Sequence, residues 1–216
     1  MNEVLIGTGF YNTPANAEAR FQMWEAWLKN TLRVTGNIVV VDNAAVALPV
    51  HLRGPARIIK CRRNLGHVGD SGADNQGPIL GWSMSWIQSA LVAYADGCDF
   101  VYKEQDCFAF NDWLPLLRTA QMTTGRHDKM PCEQSLFYLA HDFILEFIRR
   151  YLNFADSDVR TLPEEKFVAI MDGEPRSCFH ELPGGRNRPL PLFHVPFYAQ
   201  RLTTEEIISL TREGLL

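Results

Sequence analysis

Nowhere in its 216 residues does this chain carry a CxxC pair, and its five cysteines (Cys61, Cys98, Cys107, Cys132 and Cys178) are odd in number and widely spaced. That spacing excludes a zinc knuckle, argues against a disulfide framework and suits a reducing compartment. Positive charge is also scarce: 21 Lys and Arg stand against 25 Asp and Glu, for a formal net charge of -4. Such a balance gives no whole-protein attraction for nucleic acid or an anionic membrane, so nucleic acid is not an expected partner and an anionic ligand must be held by a local site. No window approaches the roughly eighteen uninterrupted apolar residues of a membrane span, and the start of the chain lacks a basic segment followed by an apolar run. The expectation is a cytoplasmic protein without a transmembrane segment.

Several catalytic signatures are missing as well. Gly7-Thr8-Gly9 lacks the third glycine of a dinucleotide fingerprint, and Gly66–Gly72 does not follow a first strand. There is no Walker A lysine pattern, no GxSxG elbow and no HExxH. The six histidines form no closely spaced ligand set, which makes a structural or hydrolytic zinc site unexpected.

What remains is an ordinary globular composition, 46% hydrophobic and 21% charged, on a length that suits one domain. Val4–Gly9 reads as a buried strand and Ala15–Leu32 as a helix opened by Thr13-Pro14, with Phe21, Trp24, Leu28 and Leu32 on one apolar stripe. Asn37–Val41 and Arg57–Cys61 read as strands. Gly66–Gly77 reads as a loop, the span from Ile79 to Asp96 as a helix stopped by Gly97, and Phe100–Lys103 as a fourth strand. Strands alternating with helices predict an α/β fold with a mainly parallel central sheet and helices on both faces. Beyond the fourth strand the alternation weakens. Asp112–Gln121 reads as a short helix, Ser135–Ala140 suits a strand, and His141–Leu152 has helical spacing. Glu164–Met171 follows as a helix entered through Pro163, Gly184–Pro191 as a loop, and a last helix opens at Thr203-Thr204-Glu205-Glu206.

The chemistry concentrates where strands run out. After Phe100–Lys103 come Glu104 and Asp106, two carboxylates one residue apart. Strand alternation would send both to one side, into the crevice at the carboxyl end of the strand where open α/β sheets bind ligands. A pair of hard oxygen donors there suits a divalent cation holding a diphosphate; an ordinary strand end with two solvated acids is the competing account. In a parallel sheet, Thr8-Gly9, Asp42-Asn43 and Arg62–Gly66 reach the same edge. Asp42 is suited to a base or ribose and Arg62 or Arg63 to phosphate, although Asp42-Asn43 is equally a turn sequence. Trp82 and Trp86, four apart, are expected to face the sheet together.

This arrangement resembles the GT-A type, family 2-like glycosyltransferases, which transfer sugar from a nucleotide diphosphate. The resemblance rests on Ile38-Val39-Val40-Val41-Asp42-Asn43-Ala44, on Arg63-Asn64-Leu65-Gly66, and on Gly97 to Asp106. It covers the first half of the chain well and the second loosely. It implies a nucleotide-binding half over 1–110 and an acceptor half over 111–216 of one domain. It also implies Thr8, Asp42, Asn43, Arg63, Asn64, Gly66 and Glu104 at the nucleotide, and Asp106 on Mn²⁺ or Mg²⁺. The family pattern is most often Asp-x-Asp, so Glu104 is a departure. The resemblance further implies a general base at Glu165 or Glu164, a diphosphate clamp at Arg186 and Arg188, and His194 as a further metal ligand. The expected donor is a UDP or GDP sugar and the expected acceptor a glycan or small molecule, in polysaccharide or glycoconjugate synthesis. With so little chain after the nucleotide half, the acceptor pocket is expected to be shallow or completed by a second subunit. The rival readings are a sugar nucleotidyltransferase, disfavoured by the absence of Arg or Lys from Gly7–Pro14, and a non-catalytic binding protein that keeps the fold.

Overall fold

The structure is a computed structural model, and it describes residues 2–45, 56–62, 81–110, 113–127, 130–157, 163–181, 198–200 and 202–214. Nine strands and six helices are ordered along the described chain as β1 (Val4–Phe10), α1 (Ala17–Leu32), β2 (Ile38–Asp42), β3 (Ala56–Lys60), α2 (Gly81–Ala95), β4 (Asp99–Lys103), β5 (Cys107–Ala109), α3 (Trp113–Leu117), β6 (Met122–His127), β7 (Met130–Leu139), α4 (Ile144–Ser157), α5 (Pro163–Met171), β8 (Ser177–Glu181), β9 (Tyr198–Gln200) and α6 (Thr204–Arg212). A short 3-10 helix, His141–Phe143, leads into α4.

Seven strands form one sheet in the order β3-β2-β1-β4-β7-β6-β8. The first four in that order are mutually parallel, β4 pairs antiparallel with β7, β7 antiparallel with β6, and β6 parallel with β8. The mainly parallel sheet expected from the alternating pattern is therefore present, and the weakening of that pattern after β4 marks the switch to antiparallel pairing. Strands β6 and β8 were not legible in the sequence. Met122–His127 carries Thr, Gly, Arg and His with no clean alternation, and a bulge at Gly125 breaks its register with β7.

Two apolar layers cover the sheet. Trp24, Trp27, Trp113, Leu117 and Leu210 pack with Ile6, Val40 and Val101 on the α1 face. Trp86, Phe147 and Phe167 pack with Leu5, Val39, Phe100 and Phe137 on the α2 face. Trp82 and Trp86 do face the sheet together, with Trp82 edge-on to Tyr102 at 5.6 Å.

α1 departs from its expected stripe. Its helix begins at Ala17, two residues later than expected, after the Asn16 side chain accepts the Thr13 N–H. Its buried residues are Trp24, Ala26, Trp27, Asn30 and Thr31, whereas Leu32 is 44% exposed. The reason is a fully buried lysine on the neighbouring strand. Lys103 Nζ donates to Asn30 Oδ1 at 2.6 Å and Thr31 Oγ1 at 2.9 Å and lies 4.9 Å from the Trp27 ring centroid. The helix turns its two polar residues inward to meet that ammonium, and Leu32 rotates out.

The helices also end where local chemistry dictates. Gly97, at φ +71°, stops α2 as expected. α3 is shorter than the expected 112–121 helix, because the chain must turn after Leu117 to enter β6. Thr203 and Glu206 form the anticipated reciprocal capping box at the start of α6. All five cysteines are free. Among the described residues no helix is long and apolar enough to cross a membrane.

Close approach of α2 to β1 depends on two glycines. A Cβ on Gly7 would lie 2.3 Å from Ser89 Cβ, and one on Gly9 2.6 Å from Ser85 Oγ. Gly7→Ala should therefore destabilise the chain by about 1–3 kcal/mol in a denaturant titration, and Ser89→Gly in the same chain should recover part of that loss. A second prediction follows from Lys103. Burial lowers its pKa from 10.5 to about 7, so between those values the unfolded chain binds more protons than the folded one. Stability should then rise with pH above about 7, by up to about 1.4 kcal/mol per unit from this group, with the full cost of burial present below pH 7. Lys103→Met, measured alongside the unmutated chain from pH 6.5 to 8.5, should lack that slope.

Candidate functional site

Because β1 to β4 run parallel, their carboxyl ends share one edge, and α2 begins at that edge. The register Phe10↔Asp42 puts Tyr11 level with Asn43 just beyond it, and the register Gly7↔Tyr102 brings Glu104, the first residue after β4, level with Gly9. Thr8 itself is fully buried on the α1 side of β1, which runs on to Phe10. The residues that emerge from β1 are thus Tyr11, 37% exposed, and the buried Asn12. Tyr11 was missed in the sequence because the strand was ended at Gly9; an aromatic directly beyond a parallel strand was the available signal.

At the end of β2, Asp42 and Asn43 do both things their sequence allowed. Asp42 Oδ1 accepts the Ala45 N–H at 2.8 Å, closing a side-chain-capped turn in which Ala44 sits in the left-handed region at φ +57°. A non-glycine residue there costs roughly 1–2 kcal/mol, so the turn is held by its surroundings. The Asn43 amide donates to Ser85 Oγ at 2.8 Å, and Ser85 donates to the Gly81 carbonyl at 2.7 Å. The Asn43 carbonyl oxygen is buried with no hydrogen-bond partner among the described residues, which leaves an acceptor at this edge.

The end of β4 differs from the expectation of two carboxylates aligned by strand alternation. The strand stops at Lys103, the Glu104 N–H donates to the Ser135 carbonyl, and the Cys107 N–H donates to the Glu104 carbonyl at 2.9 Å. Residues 104–107 are therefore a β-turn, with Gln105 and Asp106 at its corners. The two carboxylates nevertheless share one neighbourhood. Burial raises the Tyr102 hydroxyl well above its usual value, Glu104 and Asp106 both add to that rise, and the Gly9 backbone and Ser85 side chain oppose it as hydrogen-bonding neighbours. Both carboxylates also hold the buried Cys107 thiol up, after burial itself. Glu104, Gln105 and Asp106 are half-buried. The departure from strand geometry arises because β5 leaves the main sheet and pairs with β9, in the register Cys107↔Gln200.

On α5, Glu164 lies near Tyr151 of α4, which in turn meets the start of α2. Tyr151 on α4 shares a 2.7 Å hydrogen bond with Ser83 in the first turn of α2, and burial, opposed by Ser83 and reinforced by the Glu164 carboxylate, pushes its hydroxyl up to about 12. Glu164 is half-buried and Glu165 exposed. Arg63, Asn64, Gly66, Arg186, Arg188 and His194 lie outside the described residues.

The donor chemistry at the 104–107 turn suits a hard divalent cation, since the turn carries two carboxylates that both bear on Tyr102 and Cys107. Among the described residues no group of three or more His, Cys, Asp or Glu gathers closely enough to hold a metal alone. A cation there would need further ligands from a diphosphate, water or chain outside those residues.

The sequence matches no protein-family model and no curated protein. The fold does have relatives among solved structures. It superposes on the glycosyltransferase GlyE of Streptococcus pneumoniae TIGR4 with a TM-score of 0.53 and 10% identity, over 95% of this chain and 56% of that one. It superposes on an active-site variant of LgtC at 0.53 and 11%, over 99% and 96%. A putative glucose-1-phosphate thymidylyltransferase from Bacillus anthracis aligns at 0.55 and 7%, over 99% and 95%. This chain thus spans little more than half the length of GlyE. The likeness is one of fold: the chain has the GT-A type architecture found in glycosyltransferases and in sugar nucleotidyltransferases.

Proposed function

We propose that this chain is a glycosyltransferase that moves a sugar from a nucleotide-diphosphate donor to an acceptor hydroxyl, with residues 1–110 holding the nucleotide and 111–216 shaping the acceptor side. The observation that carries this reading is the acidic 104–107 turn at the carboxyl edge of four parallel strands. At the same edge stand Asp42, the Asn43 acceptor, unpaired among the described residues, and the exposed Tyr11 ring.

Each group has a task that its chemistry suits. Tyr11 offers a flat apolar face for a base, and Asp42 with the Asn43 carbonyl accepts hydrogen bonds from base or ribose. Glu104 takes a ribose hydroxyl. Asp106 would hold Mn²⁺ or Mg²⁺, and His194 would serve as a further protein ligand. The bound cation would neutralise charge on the departing diphosphate. Arg63, Arg186 and Arg188 would supply positive charge to the same phosphates, and Asn64 and Gly66 would contribute to the nucleotide side. If the transfer inverts, a carboxylate must take the acceptor proton. Half-burial and the neighbouring Tyr151 favour Glu164 for that role, with the exposed Glu165 as the alternative. The acceptor is a glycan or small molecule, in polysaccharide or glycoconjugate synthesis, and a second subunit is a candidate to complete its pocket.

The likeness to a thymidylyltransferase fold favours a second reading, synthesis of the nucleotide sugar from a nucleoside triphosphate and a sugar phosphate. Against it stands the segment after β1, where Tyr11, Asn12, Thr13 and Pro14 offer no cationic side chain to a triphosphate.

Thermal shift and calorimetric titration with UDP- and GDP-sugars, with and without Mn²⁺, test the proposal. The unmutated chain should be stabilised by one base class, more strongly with Mn²⁺. Asp106→Ala should lose the metal-dependent increment and all transfer, whereas Tyr11→Ala should weaken nucleotide binding by about 1–3 kcal/mol with or without metal. Undiminished metal-dependent binding by Asp106→Ala would remove the metal role from that residue. Pyrophosphate release from a triphosphate would establish the second reading, and no stabilisation by any nucleotide would leave a binding protein with an inherited fold.

A further inference from the structure

We infer that Asn30, near the end of α1, is the positioning residue that sets the geometry of the acidic turn, and through it the affinity for a metal-bound diphosphate; the inference rests on the transfer reading above. Asn30 is 2% exposed and makes three hydrogen bonds. Its Oδ1 accepts from Lys103 Nζ at 2.6 Å and from the Ala109 N–H at 3.1 Å, and its Nδ2 donates to the Ala109 carbonyl at 2.7 Å. Lys103 immediately precedes Glu104, and Ala109 lies three residues beyond Asp106. One carboxamide therefore grips both limbs of the turn.

The grip matters because β5 stands apart from the main sheet. Its strand neighbour is β9, and Ala109, facing Asn30, gives both its N–H and its C=O to the side chain. A primary amide presents one acceptor and donors at the spacing of a peptide group, so Asn30 stands in for a strand on that flank. The Glu104 limb is fixed independently, by its N–H on the Ser135 carbonyl. The limb that follows Asp106 takes its distance from β4 through Asn30. An apolar pair at positions 30 and 103 would fill the same interior without the desolvation cost of an ammonium and an amide. What the polar pair adds is direction: it holds Ala109 at a set distance from Lys103, and so sets where Asp106 lies relative to Glu104.

The test compares three variants of the full chain by titration with UDP and GDP, each with and without Mn²⁺. Asn30→Ala removes all three bonds. Asn30→Asp keeps the acceptors for Lys103 and the Ala109 N–H but gives up the donor to the Ala109 carbonyl, and it answers the question if Asn30→Ala does not fold. Thr31→Val removes the other oxygen partner of Lys103 without touching β5, so it reports simple destabilisation of the same interior. The expected result is about tenfold weaker Mn²⁺-dependent binding in both Asn30 variants, the scale at which a residue behind a metal ligand acts. Their binding without metal, and both affinities of Thr31→Val, should stay within about twofold of the unmutated chain. Equal Mn²⁺-dependent affinity in Asn30→Asp, or the same loss in Thr31→Val, would overturn the inference. An unmutated chain that binds neither nucleotide with Mn²⁺ would instead defeat the transfer reading, and the inference with it.

Discussion

A lysine ammonium with no exposure to water has to be met by partners wherever the backbone puts it, and in this chain that requirement organises one face of the fold. Lys103 ends β4 on the α1 side, so α1 must present oxygen to it, and Asn30 and Thr31 are turned inward at the expense of Leu32. Trp27 covers the charge from the side. Because Asn30 then continues into the backbone of Ala109, the same contact docks β5. Truncating one partner of such an arrangement leaves a buried donor unsatisfied, typically a cost of about 1–3 kcal/mol and more when the group is charged.

The opposite face solves a different problem, that of letting a helix lie almost on the strands. Gly7 and Gly9 remove two side chains from β1, and Ser85 and Ser89 fill the space with hydroxyls bonded within α2 itself. Ser85 then has a second role, as the acceptor that holds Asn43 at the end of β2. Packing and site geometry are therefore linked through one residue. A change that moved α2 outward would also lengthen the hydrogen bond that holds the Asn43 side chain.

How much of this was readable in the sequence follows from the range of the interactions involved. The four parallel strands, the stop at Gly97, the capping box at Thr203 and the pairing of Trp82 with Trp86 all come from local patterns, and they stand in the structure. The shared edge for Asp42, Asn43, Glu104 and Asp106 followed from topology alone. What was not readable depended on distant residues. Glu104–Cys107 became a turn because β5 departs to pair with β9 almost a hundred residues later. A lysine at a strand end and an asparagine in a helix each read as surface residues, and nothing local says that they meet across 73 positions. Tyr11 was lost to a strand boundary set too early.

The hydrogen bonds of Asn30 also bear on when the acidic turn takes shape. The Glu104–Cys107 bond spans three residues, but the bonds that dock its outgoing limb join positions 79 apart, and the β5–β9 pairing joins positions still farther apart. Contacts of such sequence separation form only after the entropy of closing long loops has been met, and so after α1 and β4 have found one another. The two carboxylates are carried on a segment that becomes ordered late. A chain arrested with its parallel strands assembled but β5 undocked would hold most of its core without the geometry of the acidic turn. On the proposed transfer reading, capacity to bind a metal-bound nucleotide is a stricter measure of complete folding than helix content or tryptophan burial.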